Sequence, residues 1–259
     1  MKRTAALVGV TGGAGTTRLC VEVAALLTHV GRDVAVFDAA FATQGLARHV
    51  PGRIDPDLTA LLTDASDGDG DGGRPADLDD ALVDHPVDTG GRLALCPAYA
   101  PFERLARAKT PAAAERFADL VDGAAREFDH VLVDTPPVAA NQSVAAVDAA
   151  DRVTLVAPAT ERGADAVQRM HGRLADVGAP PDAVIATRAD GDHPVTAADA
   201  TVPRTVATAP ASAPDLDGEF SPAIARAATT VFETVLDVEF PEEGLLDVDA
   251  AEYVPDALR

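Results

Sequence analysis

The stretch GVTGGAGTTR, residues 9–18, decides how this chain folds. It follows an apolar run, Ala5–Val10, that predicts a buried strand, and it precedes Leu19–Val30, which predicts a helix. A glycine-rich turn between a strand and a helix can hold phosphate, because its backbone N–H groups point inward and the helix N-terminus adds partial positive charge. The stretch contains no lysine, although phosphoryl transfer at such a turn usually depends on one. The sequence therefore predicts a phosphate cradle without its usual cation.

The rest of the chain alternates between strand-like and helix-like segments. Continuous apolar strands suit a parallel sheet covered on both faces. We therefore predict an α/β, doubly wound domain with a mainly parallel central sheet of about seven strands and helices on both faces. The predicted strands are 4–10, 33–38, 92–97, 130–135, 152–157, 182–187 and 204–208, and the predicted helices are 16–30, 111–127, 142–149, 160–177 and 219–236.

Composition divides the chain into a domain and a tail. Residues 1–239 carry the alternating pattern and form the predicted domain. Within it, residues 64–76 are acidic and glycine-rich with almost no apolar content, which predicts a flexible loop. Residues 240–259 form a predicted acidic tail.

The charge of the chain indicates which classes of molecule it can bind. The formal net charge is −21, from 42 acidic and 21 basic residues, and the acids are spread over most of the sequence. We interpret this as the surface of a salt-adapted protein, with a specific cationic partner as the alternative. Nucleic acid is disfavoured, because phosphates would be repelled. No membrane anchor is evident, since Glu242–Asp249 contain no basic residue. Cys20 and Cys96 lie in apolar segments and predict reduced thiols and a cytoplasmic location.

Two families carry a similar glycine-rich turn, and the first is the ParA/MinD family of P-loop ATPases. Residues 128–137 resemble the family's second signature, because an apolar strand ends there in Asp-Thr-Pro-Pro. The resemblance extends over residues 3–237 and is most specific at this second signature. The glycines of the first signature are matched by Gly12, Gly13 and Gly15.

The resemblance implies a nucleotide site and its cofactor. Thr17 falls on the hydroxyl that ligates magnesium in the family, and Asp134 on the acid that binds a magnesium-bound water. Asp38 matches the first acid after the second strand, and Val202–Pro203 resemble a step near the adenine. The implied ligand is ATP or ADP with Mg²⁺, the alternative being no cofactor. The implied site comprises Gly12, Gly13, Ala14, Gly15, Thr16, Thr17, Asp38, Asp134 and Pro203.

Four departures from the family pattern bear on activity. Thr11 replaces the signature lysine that reaches across a dimer, and Thr16 replaces the lysine that binds phosphate. Ala40 replaces the second acid, which orients the attacking water, and Thr187 replaces an asparagine that reads adenine. The resemblance therefore implies a degenerate protein with a regulatory or scaffolding role in spatial organisation. It would bind nucleotide weakly or not at all, use no catalytic residue, and act on an unidentified protein partner, with a homodimer as one arrangement.

Two alternatives stay open at this point. One is a slow ATPase of the same family, which would be an ATP hydrolase. The other is an NAD(P)-binding short-chain dehydrogenase, whose nucleotide turn also reads Thr-Gly-Gly-Ala-Gly and whose ribose-binding acid would be Asp38. Against the dehydrogenase, Arg18 stands at the third glycine of its fingerprint, and its catalytic Tyr-x-x-x-Lys is absent from the sequence.

Overall fold

The computed structural model describes residues 3–63, 77–206, 211–216 and 218–240. The predicted loop 64–76 lies outside the described residues, and so does the predicted tail 240–259 apart from Phe240. The division into a domain over 1–239 and a tail stays a prediction. Among the described residues, no helix combines the length and the hydropathy that a membrane crossing requires.

A single mixed sheet runs through the described chain, and it confirms the predicted α/β fold. Its order is β3-β4-β2-β5-β1-β6-β7-β8. Every neighbouring pair is parallel except β3 with β4. The strands are β1 (Thr4–Gly9), β2 (Val34–Asp38), β3 (Val83–Asp84), β4 (Leu93–Cys96), β5 (His130–Thr135), β6 (Arg152–Pro158), β7 (Ala183–Thr187) and β8 (Ala200–Val202).

Helices cover both faces of the sheet. Alternate residues of β1 point to opposite faces, as a strand requires: Ala5 and Leu7 pack in one hydrophobic cluster, and Ala6 and Val8 in another. The first face is covered by α1 and α8, and the second by α5, α6 and α7. The helices are α1 (Thr16–His29), α2 (Leu58–Thr63), α3 (Leu78–Ala81), α4 (Phe102–Arg107), α5 (Pro111–Glu127), α6 (Asn141–Asp148), α7 (Glu161–Asp176) and α8 (Phe220–Phe232), with 3₁₀ turns at Leu46–His49 and Ala213–Asp215.

The predicted strand 204–208 is wrong. The last described strand is instead Ala200–Val202, and residues 204–206 lie in a loop, while 207 and 208 lie outside the described residues. Pro203 follows the strand directly, and a proline has no N–H with which to continue a ladder of hydrogen bonds. The strand β3 was not predicted, because two residues carry no alternation.

The strand order contradicts the dehydrogenase alternative. In the classic dinucleotide-binding fold the first two strands are neighbours, so an acid at the end of the second can reach a nucleotide held at the first. Here β5 lies between them: Leu132 pairs with Ala5 on one side, and Val131 with Ala35 on the other. The strand order around the glycine turn therefore differs from the order that the dehydrogenase fold requires.

Candidate functional site

The glycine turn forms an open cradle at the carboxyl end of β1. Gly13 and Gly15 adopt positive φ angles of 76° and 87°, where side chains are disfavoured. Gly15 is also the N-cap of α1 and brings no side chain to the first turn. The first N–H groups of α1 are therefore left for a ligand, which is the arrangement that binds phosphate.

Thr17 and Asp134 meet beside the cradle. The Thr17 hydroxyl donates a hydrogen bond of 2.5 Å to Asp134 Oδ2. Gly45 packs so closely that a Cβ there would lie 2.7 Å from Thr17 Oγ1. Hydroxyl and carboxylate oxygens suit Mg²⁺, which usually completes its shell with water and phosphate oxygens. Among the described residues no group of three or more His, Cys, Asp or Glu could hold a metal by itself. A bound Mg²⁺ would therefore depend on the nucleotide for further ligands.

Asp38 lies next to Asp134 in the sheet and below the cradle. The two residues are partners in the β2–β5 register, and both are buried. Asp38 accepts hydrogen bonds from the backbone N–H groups of Ala40, at 2.8 Å, and Leu46, at 3.3 Å. Burial, followed by repulsion from Asp134, raises the pKa of Asp38 to about 8. Burial raises the pKa of Asp134 to about 6, against the lowering effect of the Thr17 hydrogen bond. At neutral pH the pair therefore retains a proton.

A cavity of about 380 Å³ opens over the cradle. Ala40, Thr11 and Thr16 all line this cavity. The three positions where the resemblance implies a charged residue, and this chain has none, therefore lie around the same space. Thr16 is buried with its hydroxyl against Gly9, where a Cβ would lie 2.6 Å from Oγ1. The basic side chains of the wall are Arg18, Arg48, His49 and Arg188.

Arg188 directly follows β7, and its side chain brings a positive charge to the cradle. Its Nη1 donates to the Gly13 carbonyl at 2.8 Å, and its backbone φ is +56°, an unusual value for arginine. The preceding Thr187 donates to the Ala14 carbonyl at 2.6 Å. Two consecutive side chains that lie outside the glycine turn thus donate hydrogen bonds to its carbonyls. The sequence singled out Thr187 but neither contact, because 173 and 175 residues separate the partners.

Arg18 is engaged elsewhere. Its Nε donates to the fully buried Glu22 carboxylate at 2.5 Å, and its Nη2 donates to Ser212 Oγ at 3.1 Å. Glu22 in turn accepts from the backbone N–H of Ala213 at 2.7 Å. Arg18 therefore joins α1 to the turn at 212–213, in addition to lining the cavity.

A second cavity, of about 410 Å³, adjoins the first. Both are lined by Gly15, Arg18 and Arg188, so a single molecule placed at this junction would enter both. The apolar side chains of the second cavity are Leu19, Val202, Pro203, Val206, Phe220 and Ile224. An apolar slot beside a phosphate cradle has the shape and chemistry of a site for a nucleotide, whose base is planar and whose phosphates are charged.

The structure brings together most of the residues that the sequence singled out. Pro203 lies in the apolar cavity, and Asp38 lies below the site without lining either cavity. The predicted residues that line the cavity over the glycine turn are Gly12, Gly13, Ala14, Gly15, Thr16, Thr17 and Asp134.

Comparison with solved structures identifies the architecture. MinD cell division protein from Aquifex aeolicus superposes with a TM-score of 0.68 at 19% identity, over 92% of this chain and 100% of that one. The chain has the fold of the MinD and ParA ATPases. A ParA family ATPase from Chlorobium tepidum TLS gives a TM-score of 0.68 at 20% identity, over 88% of this chain and 99% of that one.

A third neighbour carries a nucleotide. The septum site-determining protein MinD from Pyrococcus horikoshii OT3, complexed with Mg-ADP, gives a TM-score of 0.63 at 19% identity, over 78% of this chain and 82% of that one. No protein-family model matches the sequence, and no curated protein matches it. The MinD/ParA resemblance seen in the sequence is thus confirmed for the fold.

Proposed function

We propose that this chain is a nucleotide-binding regulatory or scaffolding protein that does not hydrolyse ATP efficiently. The observation that carries the proposal is a contrast within one cavity. The backbone cradle at Gly13 and Gly15 and the Thr17–Asp134 pair are complete. The positions that would supply catalytic charge hold Thr11, Thr16 and Ala40.

Binding is supported by the shape and charge of the two cavities. The cradle offers backbone N–H groups, and Arg188 and Arg48 bring positive charge to its wall. The adjoining slot, with Val202 and Pro203, offers apolar surface to a base. Affinity for ATP or ADP with Mg²⁺ should be modest, because neither arginine starts from the cradle itself, where a lysine would face the β- and γ-phosphates.

The loss of efficient hydrolysis follows from electrostatics. Phosphoryl transfer depends on positioned charges that stabilise the transition state. Removing one such group typically lowers the rate by roughly 10²–10³-fold. Ala40 is buried and apolar, so it cannot orient water, and Thr16 carries no charge. Loss of more than one group would bring turnover close to the background rate.

A role in spatial organisation is supported by fold likeness alone. The neighbours are named as a septum site-determining protein, a cell division protein and a ParA family ATPase. Because one fold serves many activities, the step from those names to this chain is part of the proposal. We propose a protein partner and a homodimer, with neither membrane nor nucleic acid as the target.

A slow ATPase is the competing proposal, favoured by the intact contact between Thr17 and Asp134. Calorimetric titration of ATP, ADP and NAD with Mg²⁺, in molar KCl, tests binding, and phosphate release under the same conditions tests turnover. We expect ATP and ADP to bind, NAD to bind no better, and phosphate release to stay at background. Magnesium-dependent release that Thr17→Ala abolishes would establish the slow ATPase instead, and absence of any nucleotide binding would overturn the proposal.

A further inference from the structure

The cavity over the glycine turn has a part of its wall that the apolar slot does not share. The two cavities have Gly15, Arg18 and Arg188 in common. A different part of the wall comes from the segment that follows β2, and none of these residues lines the slot. We call this part the distal wall, and its residues are Ala40, Thr43, Gly45, Arg48 and His49. A nucleotide whose base occupies the slot therefore extends its phosphate chain past Gly15 and toward the distal wall.

The distal wall is fixed close to Thr17. Gly45 packs so tightly against this residue that a Cβ on the glycine would lie 2.7 Å from Thr17 Oγ1. The next residue, Leu46, donates its backbone N–H to the buried carboxyl of Asp38 at 3.3 Å. Arg48 donates its own backbone N–H to the Gly45 carbonyl at 3.3 Å. Because the Thr17 hydroxyl suits Mg²⁺, which takes further ligands from substrate phosphates, Arg48 starts one turn beyond the place where metal and phosphate would meet.

The guanidinium of Arg48 is uncommitted. The residue is exposed, and within residues 3–63, 77–206, 211–216 and 218–240 its side chain forms no hydrogen bond or ion pair. Arg18 and Arg188 also line the cavity, but Arg18 donates to Glu22 and Arg188 donates to the Gly13 carbonyl. Arg48 can therefore bind an anion without giving up a contact within the described chain.

The charge of this cavity suits a polyphosphate. Its described lining includes three arginines and a single carboxyl group, that of Asp134. This carboxyl accepts a hydrogen bond from Thr17, and burial raises its pKa to about 6. Asp38 lies beneath the cavity without lining it. The lining is therefore positive, in a chain whose formal net charge is −21.

We propose that Arg48 binds the terminal phosphate of a nucleoside triphosphate and thereby selects a triphosphate over a diphosphate. This inference rests on the proposed nucleotide-binding function. A guanidinium presents two parallel N–H donors to two phosphate oxygens, which gives a bidentate, charge-assisted contact. The phosphates nearer the base are common to both kinds of nucleotide, and they lie on the side of Arg188, which lines both cavities. Only the third phosphate extends to the distal wall, so Arg48 contributes to the binding of ATP and not to that of ADP.

Calorimetric titration of the full-length protein with Mg-ATP and, separately, Mg-ADP in molar KCl tests this assignment. In Arg48→Gln, the dissociation constant for ATP should rise by roughly 10- to 100-fold, because a hydrogen bond to a charged group is lost. The dissociation constant for ADP should stay within about twofold of the parent value, because ADP has no third phosphate to make this contact. Arg48→Lys keeps the charge but not the planar fork, so it should recover part of the ATP affinity.

Two further variants control for charge and position. Arg126→Gln removes the same charge from an exposed position on α5 outside the cavity wall, and it should change neither dissociation constant. Arg188→Gln should weaken ATP and ADP by similar factors. Equal losses for ATP and ADP in Arg48→Gln, or a loss for ATP no larger than that in Arg126→Gln, would overturn the assignment and leave the proposed function in place. If the parent protein binds neither nucleotide, the proposed function fails and the assignment fails with it.

Discussion

The two edges of the central sheet bury ionisable groups of opposite type, carboxyls at one edge and an imidazole at the other. At the carboxyl edge, buried Asp38 and Asp134 lie beneath a cradle of backbone N–H groups, and burial raises their pKa values to about 8 and about 6. At the amino edge, the buried group is His130, and burial lowers its pKa. At each edge, therefore, burial favours the neutral form of an ionisable group. The difference teaches that burial at the two ends of the same strands favours the protonated carboxyl at one edge and the unprotonated imidazole at the other.

The largest effect that we expect is the dependence of thermal stability on salt, which acts through the acidic residues spread over the chain. At about 0.01 M salt the Debye length is about 30 Å, so repulsions add across the domain, whereas at 1 M it falls to about 3 Å. We expect the melting temperature to rise by at least about 10 °C from millimolar to molar KCl, which is roughly 3 kcal/mol at this chain length. A thermal melt across a KCl series measures it. A flat or falling series would remove the salt-adapted interpretation and leave a cationic partner as the reason for the acidic surface.

The next prediction restores the missing charge at the carboxyl edge. Thr16→Lys should tighten ATP binding by roughly 10- to 100-fold, because a charge-assisted contact is worth about 1.5–3 kcal/mol. Calorimetry with Mg-ATP measures the change. Thr196→Lys adds the same charge at an exposed loop position and should have little effect. Equal gains in both variants would show that net charge alone, and not the cradle, controls affinity.

A smaller loss is expected from Arg188. Arg188→Gln removes the guanidinium that contacts the Gly13 carbonyl and lines both nucleotide cavities. We expect ATP affinity to fall by about tenfold, or about 1.4 kcal/mol. The effect of the same change at Arg126, on the surface of α5, provides the control. Equal losses of affinity in Arg188→Gln and Arg126→Gln would show that net charge, and not the contact with the glycine turn, accounts for the effect.

The last prediction is a difference in pH dependence, which within any one pH unit is no larger than the loss expected from Arg188→Gln. A carboxyl whose pKa is raised on folding binds more protons in the folded state, so the free energy of unfolding falls as pH rises from about 4 to about 8. The slope is at most about 1.4 kcal/mol per pH unit for each proton. Asp38→Asn should flatten this slope between pH 5 and pH 8 in urea titrations. Asp176→Asn, at an exposed position on α7, should retain it. Parallel slopes in the two variants would contradict the assignment of the retained proton to the Asp38–Asp134 pair.

Elements with strong local signals were predictable from the sequence. The helix predicted at 111–127 is α5 to the residue, because Pro111 occupies its first position and Thr110 caps it through the Ala113 N–H. The helices α2, α3 and α4 are four to six residues long and have too few turns to show a period. All of α2 is buried, whereas α3 and α4 each bury a single residue, Ala81 and Leu105.

The candidate site also has one part that the sequence located and another that it did not. Gly12, Gly15 and Thr17 belong to one local motif, so the sequence alone located the cradle. Arg48 and Arg188 come to it from other elements, and nothing in their neighbourhoods marks them as phosphate-side cations. At the opposite edge of the sheet, likewise, only the strand order brings Arg3, Arg32 and His130 to one cavity.

The proton retained between Asp38 and Asp134 has a calorimetric consequence. If Mg²⁺ with a nucleotide settles beside Asp134, its charge will favour the ionised carboxylates and expel that proton into the solvent. The observed heat of binding will then include the heat with which the buffer captures a proton. Titrations in Tris and in cacodylate at one pH should consequently differ in enthalpy while agreeing in affinity, and the size of the difference counts the protons released.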